Sequence, residues 1–259
     1  MNLPDIHALW IGDKLNRIAQ CCLKSFIMRG HKVFLHVYGK IENLPEGIIT
    51  QDASLIIPKK KIVRHKITGS YALFSDIFRY SLLNRVNGIY VDCDVYCIKP
   101  ILHSKSGYIL GYEDDSYING AVLALPKNSC VLQDLKKMCS EPNFIPPWYS
   151  NKRKIIQKIK FFLNINSGIE SLPWGSIGPH AITYYIKKNK CLHQVSPIDI
   201  FYPVHYNSVS QLFDPELDIL DLVSKRTVCV HLYNEMLKSR DLSNLDKNCL
   251  MYKFLHNEI

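Results

Sequence analysis

Ser75-Asp76-Ile77-Phe78-Arg79-Tyr80, followed by Asn87-Gly88-Ile89-Tyr90-Val91-Asp92-Cys93-Asp94-Val95, decides the fold. From Ser70 to Asn84 the apolar residues cover most of a helical circumference, which predicts an interior helix. Asp76 and Arg79 are three apart and share one helical face. Asn87-Gly88 reads as a left-handed exit from that helix. Ile89-Tyr90-Val91 is then short, apolar and β-prone, a buried strand that delivers Asp92 and Asp94 to its C-terminal end. Open α/β sheets bind their ligands at that edge.

The flanking sequence agrees. Ile6 to Ile11 reads as a strand, Asn16 caps a helix to Arg29 before Gly30, and Lys32 to Tyr38 is a second strand. Two strands joined this closely by a helix open a parallel, Rossmann-like sheet. Further strands are expected at 54–57, 107–112, 118–125, 191–195 and 227–232, and helices at 128–139 and 178–188. Residues 141 to 173 read as irregular or helical. With 259 residues, a hydrophobic share of 47% and no linker or repeat, one α/β domain spanning 1–259 is expected.

Composition narrows the setting. The first ten residues carry Asp5 and His7 within their only apolar stretch, which is not a secretory leader, and no apolar run is long enough to span a bilayer. Nine cysteines, an odd number with several inside apolar runs, fit free thiols in a reducing, cytoplasmic compartment. A net charge of +9 asks for an anionic partner. Part of it lies in Trp148 to Phe162, where five cations mix with aromatics and isoleucines without any acid. This stretch reads either as a helix lying on an anionic membrane or as a solvated helix packing its apolar side on the domain. No nucleic-acid motif accompanies the charge.

Two carboxylates at i and i+2 after a buried strand offer hard oxygen ligands to Mg²⁺ or Mn²⁺, ions that also bridge two phosphates. Neutralising a diphosphate makes it a better leaving group. An acidic pair can equally be loop decoration, and Asp76 with Arg79 can equally be a buried ion pair. Phosphohydrolases of the haloacid-dehalogenase type also place Asp-x-Asp after a strand, but expect Thr or Val where this chain has Tyr96. A membrane- or polyanion-binding module with a degenerate site is a further reading.

The segment 75–80, the glycine exit, residues 89–95 and then Lys99-Pro100 resemble the sugar-binding segment of the family-32 glycosyltransferases. They are also similar to the catalytic domains of large clostridial glucosylating toxins. The resemblance is strong over 70–101 and recognisable over 6–125, with Asn87 standing where the family has a second glycine. It implies a GT-A fold, a Rossmann-like mixed sheet flanked by helices, with a nucleotide-sugar half at about 1–125 and an acceptor side at about 126–259. It further implies a retaining hexosyltransferase using Mn²⁺ or Mg²⁺ and a UDP-hexose, UDP-galactose or UDP-glucose.

By position, Asp92 and Asp94 would serve the metal and the ribose or sugar hydroxyls, while Asp76 and Arg79 would hold the donor sugar and diphosphate. Leu9-Trp10-Ile11-Gly12 resembles the first strand, where Trp10 would stack on the base or simply fill the core. Asn119 matches an Asn near the donor sugar, although Asn119-Gly120 alone is a turn signal. Gly178, opening a helix at Pro179, could face phosphate or only start the helix. His231 resembles a C-terminal His that completes the metal shell or touches the diphosphate. A His leaving a strand is also commonly structural, and Tyr233 stands where the family carries a tryptophan signature. The expected acceptor is a glycan, lipid-linked in surface-polysaccharide (capsule or O-antigen) synthesis, met at the cytoplasmic face of a membrane through 148–162.

Overall fold

The computed structural model describes residues 2–163, 165 and 168–259. The chain opens with β1 (Ile6–Trp10), α1 (Arg17–Met28) and β2 (Val33–Val37). Asn16 caps α1 by accepting the Ala19 N–H at 2.8 Å. β3 (Ile48–Asp52), α2 (Ala72–Leu83), β4 (Ile89–Val91), β5 (Val95–Cys97), β6 (Ile109–Tyr112) and β7 (Ile118–Ala124) follow. The second half holds α3 (Cys130–Ser140), α4 (Asn151–Phe162), α5 (Pro179–Lys188), α6 (Ile198–Phe201), α7 (Ile219–Leu222), β8 (Cys229–His231), α8 (Asn234–Leu237) and α9 (Leu250–His256).

Six strands form one mixed sheet in the order β3-β2-β1-β4-β7-β6. β3, β2, β1 and β4 run parallel, whereas β7 is antiparallel to both β4 and β6. β5 and β8 pair separately and antiparallel. Helices cover both faces, giving the mixed α/β architecture expected.

Side chains alternate across the strands as the two-residue period requires. Leu9, Tyr90 and Leu123 face a core built with Phe74 and Phe78 of α2, Leu135 of α3 and Ile182 of α5. Ile6, Ala8, Ile89, Val91 and Val122 face the other way, onto Leu23 and Phe26 of α1. A third cluster joins β5 and β8 to α9 through Tyr96, Val230 and Phe254.

Two expected strands are absent. Residues 53–55 form a 3₁₀ turn, because the Asp52 carboxylate accepts the Ser54 N–H at 2.8 Å and bends the chain just after β3. The strand at this edge is instead 48–52, paired with β2. Residues 192–194 are likewise a 3₁₀ turn, and that segment meets the sheet only in a parallel bridge between Gly111 and Ser196.

The α2 face of the sheet also buries two histidines. His7 Nδ1 lies 3.1 Å from His36 Nε2, and the outer ring nitrogens, His7 Nε2 and His36 Nδ1, have no hydrogen-bond partner. Burial and the neighbouring His7 lower the His36 pKa to about 4, and burial lowers that of His7. The unfolded chain therefore binds more protons than the folded one between its ordinary histidine pKa and the depressed value. Stability is full above about pH 6.5 and falls as the pH drops toward 4, by up to about 3 kcal/mol for His36 alone. Urea unfolding across that window should show this loss in the wild type and a flatter profile in His36→Leu.

Candidate active site

α2 aims Asp76 and Arg79 at the C-terminal end of β4. The Arg79 guanidinium is buried at 5% exposure. Its Nη2 donates to both Asp92 oxygens at 2.9 and 3.1 Å and lies 3.4 Å from Asp76 Oδ1. The same guanidinium sits 4.7 Å from the Tyr90 ring centre, a cation–π contact. The Tyr90 hydroxyl donates to Asp92 at 3.0 Å and meets Ser75 Oγ at 2.7 Å. The Asp92 N–H donates to the Ala121 carbonyl at 2.8 Å, which fastens the end of β4 to β7.

Burial drives the Asp76 carboxyl up to about 7, with Asp92 adding to the rise and Arg79 opposing it. Burial disfavours the Arg79 charge, but Asp92 and Asp76 outweigh it and keep the guanidinium protonated. Two glycines make this packing feasible. A Cβ on Gly120 would collide with Arg79 Nη1, and a Cβ on Gly178 would lie 2.8 Å from Asp76 Oδ2. Asn119-Gly120 is therefore strand, inside β7, and not a turn.

Asp94 turns the other way, toward β8. Its Oδ1 lies 3.2 Å from His231 Nε2, and its Oδ2 accepts the Asn234 N–H at 2.9 Å. Burial opposes ionisation of Asp94, yet the His231 charge and hydrogen bond, with the Asn234 amide, hold the carboxyl below its usual range. Burial likewise works against the His231 imidazolium, and Asp94 outweighs it, raising the histidine. The Tyr233 ring lies tilted by 37° against His231 with ring centres 3.9 Å apart, and Tyr233 adopts the left-handed conformation (φ +49°). A tyrosine there is a strained position, which turns the following N–H back onto Asp94.

The structure thus brings Asp76, Arg79 and Asp92 into one group, and Asp94 with His231 into a second. Asp94 follows Asp92 by two residues, but both lie past the end of β4, so the shared face of a regular strand does not apply. Trp10 ends β1 at the same sheet edge, half-buried, its indole N–H donating to the Lys14 carbonyl at 3.2 Å. Asn119 is buried; its Oδ1 accepts the Ala121 N–H and its Nδ2 donates to Glu113, both at 2.7 Å.

Glu113 is a residue the sequence did not single out. Its charge helps raise both His231 and Tyr233. It begins the acidic run Glu113-Asp114-Asp115 between two strands, where no local pattern separates it from its neighbours. Ser75 and Tyr90 lie within the quoted segments, but their hydrogen bonds to each other and to Asp92 emerge only in the fold.

Among the described residues no three His, Cys, Asp or Glu side chains converge on one point that could hold a metal ion. Asp94 Oδ1 and His231 Nε2, 3.2 Å apart, do have the spacing of neighbouring ligands. Roughly 3 Å is expected for adjacent donors on an octahedral ion with bonds of about 2.1 Å. In this structure the 3.2 Å is their own hydrogen bond, which a divalent cation held by both atoms would replace.

Two family models match the chain. Residues 49–116 match the glycosyltransferase sugar-binding region containing DXD motif, and residues 164–258 match the alpha 1,4-glycosyltransferase conserved region. The first carries Asp76, Arg79, Asp92 and Asp94; the second carries Gly178 and His231. No curated protein matches the chain. Among solved structures, the PaToxG glycosyltransferase is 14% identical, with 71% of this chain and 68% of that one covered and a TM-score of 0.46. An active-site mutant of LgtC is 14% identical, covering 98% and 95%, with a TM-score of 0.45. The bifunctional glycosyltransferase WbbM is 10% identical, covering 98% and 52%, with a TM-score of 0.35. The two matched regions indicate a transferase that moves a glycosyl group.

The packing around Arg79 makes a stability prediction. Gly120→Ala should lower the unfolding free energy by about 1–3 kcal/mol, because the guanidinium and Ile182 must both shift. Arg79→Met should cost about 2–4 kcal/mol, since it leaves two partly buried carboxylates without their cation. Chemical denaturation of both variants measures these losses.

Proposed function

We propose that the protein is a retaining hexosyltransferase that moves a sugar from a nucleoside diphosphate, UDP-galactose or UDP-glucose, to a hydroxyl of a glycan. The observation that carries this reading is the pairing of Asp94 with His231 at the sheet edge where Arg79 gathers Asp76 and Asp92. Asp94 and His231 would hold Mn²⁺ or Mg²⁺, with Asp92, two residues before Asp94, as a further carboxylate for the ion. The bound ion supplies a positive charge that neutralises the departing diphosphate.

The chain's own residues do the rest. Arg79 fixes the Asp92 carboxylate, so that Asp92 and Asp76 present oxygens to donor hydroxyls without reorganising. Asp76, with its pKa near 7, can also donate its proton to a hydroxyl oxygen. Trp10 offers its indole face to the base, while Asn119 and Gly178 border the sugar. In the reaction the bond from the anomeric carbon to the phosphate oxygen breaks and a bond to the acceptor oxygen forms on the same face. The acceptor proton leaves to the departing phosphate oxygen.

The donor half is about 1–125 and the acceptor side about 126–259. A lipid-linked glycan, as in capsule or O-antigen assembly at the cytoplasmic face of a membrane, is the acceptor class we favour. The test is UDP release from a panel of UDP-sugars with Mn²⁺. The wild type should turn over, and Asp94→Asn should lose at least about a hundredfold in kcat. His231→Ala should raise the Mn²⁺ needed for half-maximal rate by about tenfold or more. No UDP release by the wild type, or full activity in Asp94→Asn, would overturn the reading.

A further inference from the structure

α4 is inverted relative to a helix that packs on its own domain. Of its twelve residues only Gln157 is buried. Ile155, Ile156, Ile159 and Phe162 are 59%, 43%, 52% and 89% exposed, and Leu163 just beyond is 54% exposed. At about 100° per residue these five side chains fall in one continuous arc of about 120°. Gln157 and the half-buried Phe161 lie on the opposite side, against the protein.

The charges are arranged around that arc. Lys158 borders it on one side, Arg153 and Lys160 on the other, and Lys152 stands at its N-terminal end. The helix carries no acid. Lysine and arginine stems can lie along apolar surface while their heads stay in water beside an anionic layer. A bare apolar stripe would suit many partners, but one fenced by cations alone matches an anionic bilayer surface. Among the described residues no helix is long and apolar enough to cross a membrane, so contact at this helix would be peripheral.

The start of α4 is tied to the candidate site. Trp148 stacks parallel to His180 at 6.5 Å (10° between planes) and meets Tyr184 at 5.4 Å. His180 belongs to the first turn of α5, immediately after Gly178, which abuts Asp76. We propose that α4 docks this protein on an anionic membrane, with Ile155, Ile159 and Phe162 entering the headgroup–acyl boundary. Docking there sets the sheet edge beside the lipid surface. It stands apart from the glycosyl-transfer reading, because it concerns binding and requires no turnover.

The experiment is flotation of the full chain with vesicles of phosphatidylcholine alone or mixed with phosphatidylglycerol. The wild type should float with the anionic vesicles, weaken as salt rises, and stay behind with the neutral ones. The triple variant Ile155→Ser, Ile159→Ser, Phe162→Ser should bind at least about tenfold more weakly. Its unfolding midpoint should match the wild type, since the replaced side chains already face solvent. Absence of wild-type binding to anionic vesicles, or equal binding by the variant, would overturn the proposal. So would self-association by light scattering that the variant abolishes, if vesicles are not bound. UDP release by both proteins, measured in parallel without vesicles, separates failure of docking from failure of the enzymatic reading.

Discussion

One guanidinium organises the centre of this protein. Arg79 is held out of water by α2, β4 and β7, and a buried cation is tolerated only where anions surround it. Asp92 supplies a two-oxygen contact, Asp76 a second carboxylate and Tyr90 an aromatic face. Each of these neighbours constrains something further. Asp92 pins β4 to β7 through its own N–H, and Gly120 and Gly178 have no side chain because the charged cluster occupies the space. Helix, sheet and the start of α5 are thereby fixed around a group of charges.

A second charged pair begins two residues past Asp92 and answers to a different part of the chain. Asp94 is held by His231 and by the amide that follows Tyr233, so its position depends on β8 and on a tyrosine kept in a left-handed conformation. The short acidic motif divides its two carboxylates between two structural units. Asp92 is preset by α2, β4 and β7, whereas Asp94 is completed by the C-terminal region.

Much of this was readable before folding, because the cues are local. Ile6–Trp10, Val33–Val37 and Ile89–Val91 are apolar runs that can only be buried strands, and Asn16 and Gly30 bracket α1 as capping chemistry requires. Asp76, Arg79, Asp92 and Asp94 stood out by charge against an apolar background. The misses depend on contacts between distant residues. The strand at 48–52 is polar at its centre and is recruited by pairing with β2, while the apolar run at 54–57 is diverted by Asp52. β5 is only three residues long and needs β8 to exist. Glu113 and Tyr90 acquire meaning only when the sheet edge closes. For α4 the pattern gave the helix but not its orientation; which side faces inward is set by the surface it meets.

Gly178 and Asp76 touch across the boundary between two stretches of chain, one resembling the sugar-binding region and the other the alpha 1,4-glycosyltransferase region. At that point a carboxylate rests on a bare backbone, while around it Phe74 and Phe78 pack in one core with Ile182 and the Tyr80 hydroxyl donates to the Ile177 carbonyl. Such a seam is permissive in one respect and strict in another. The C-terminal portion can vary its loops and helices where they lie away from the contacts made by Ile177, Ile182 and His231, since only there does nothing in the first stretch read their identity. A chimera assembled at this seam must nevertheless keep a hydrogen atom where every other amino acid would put carbon.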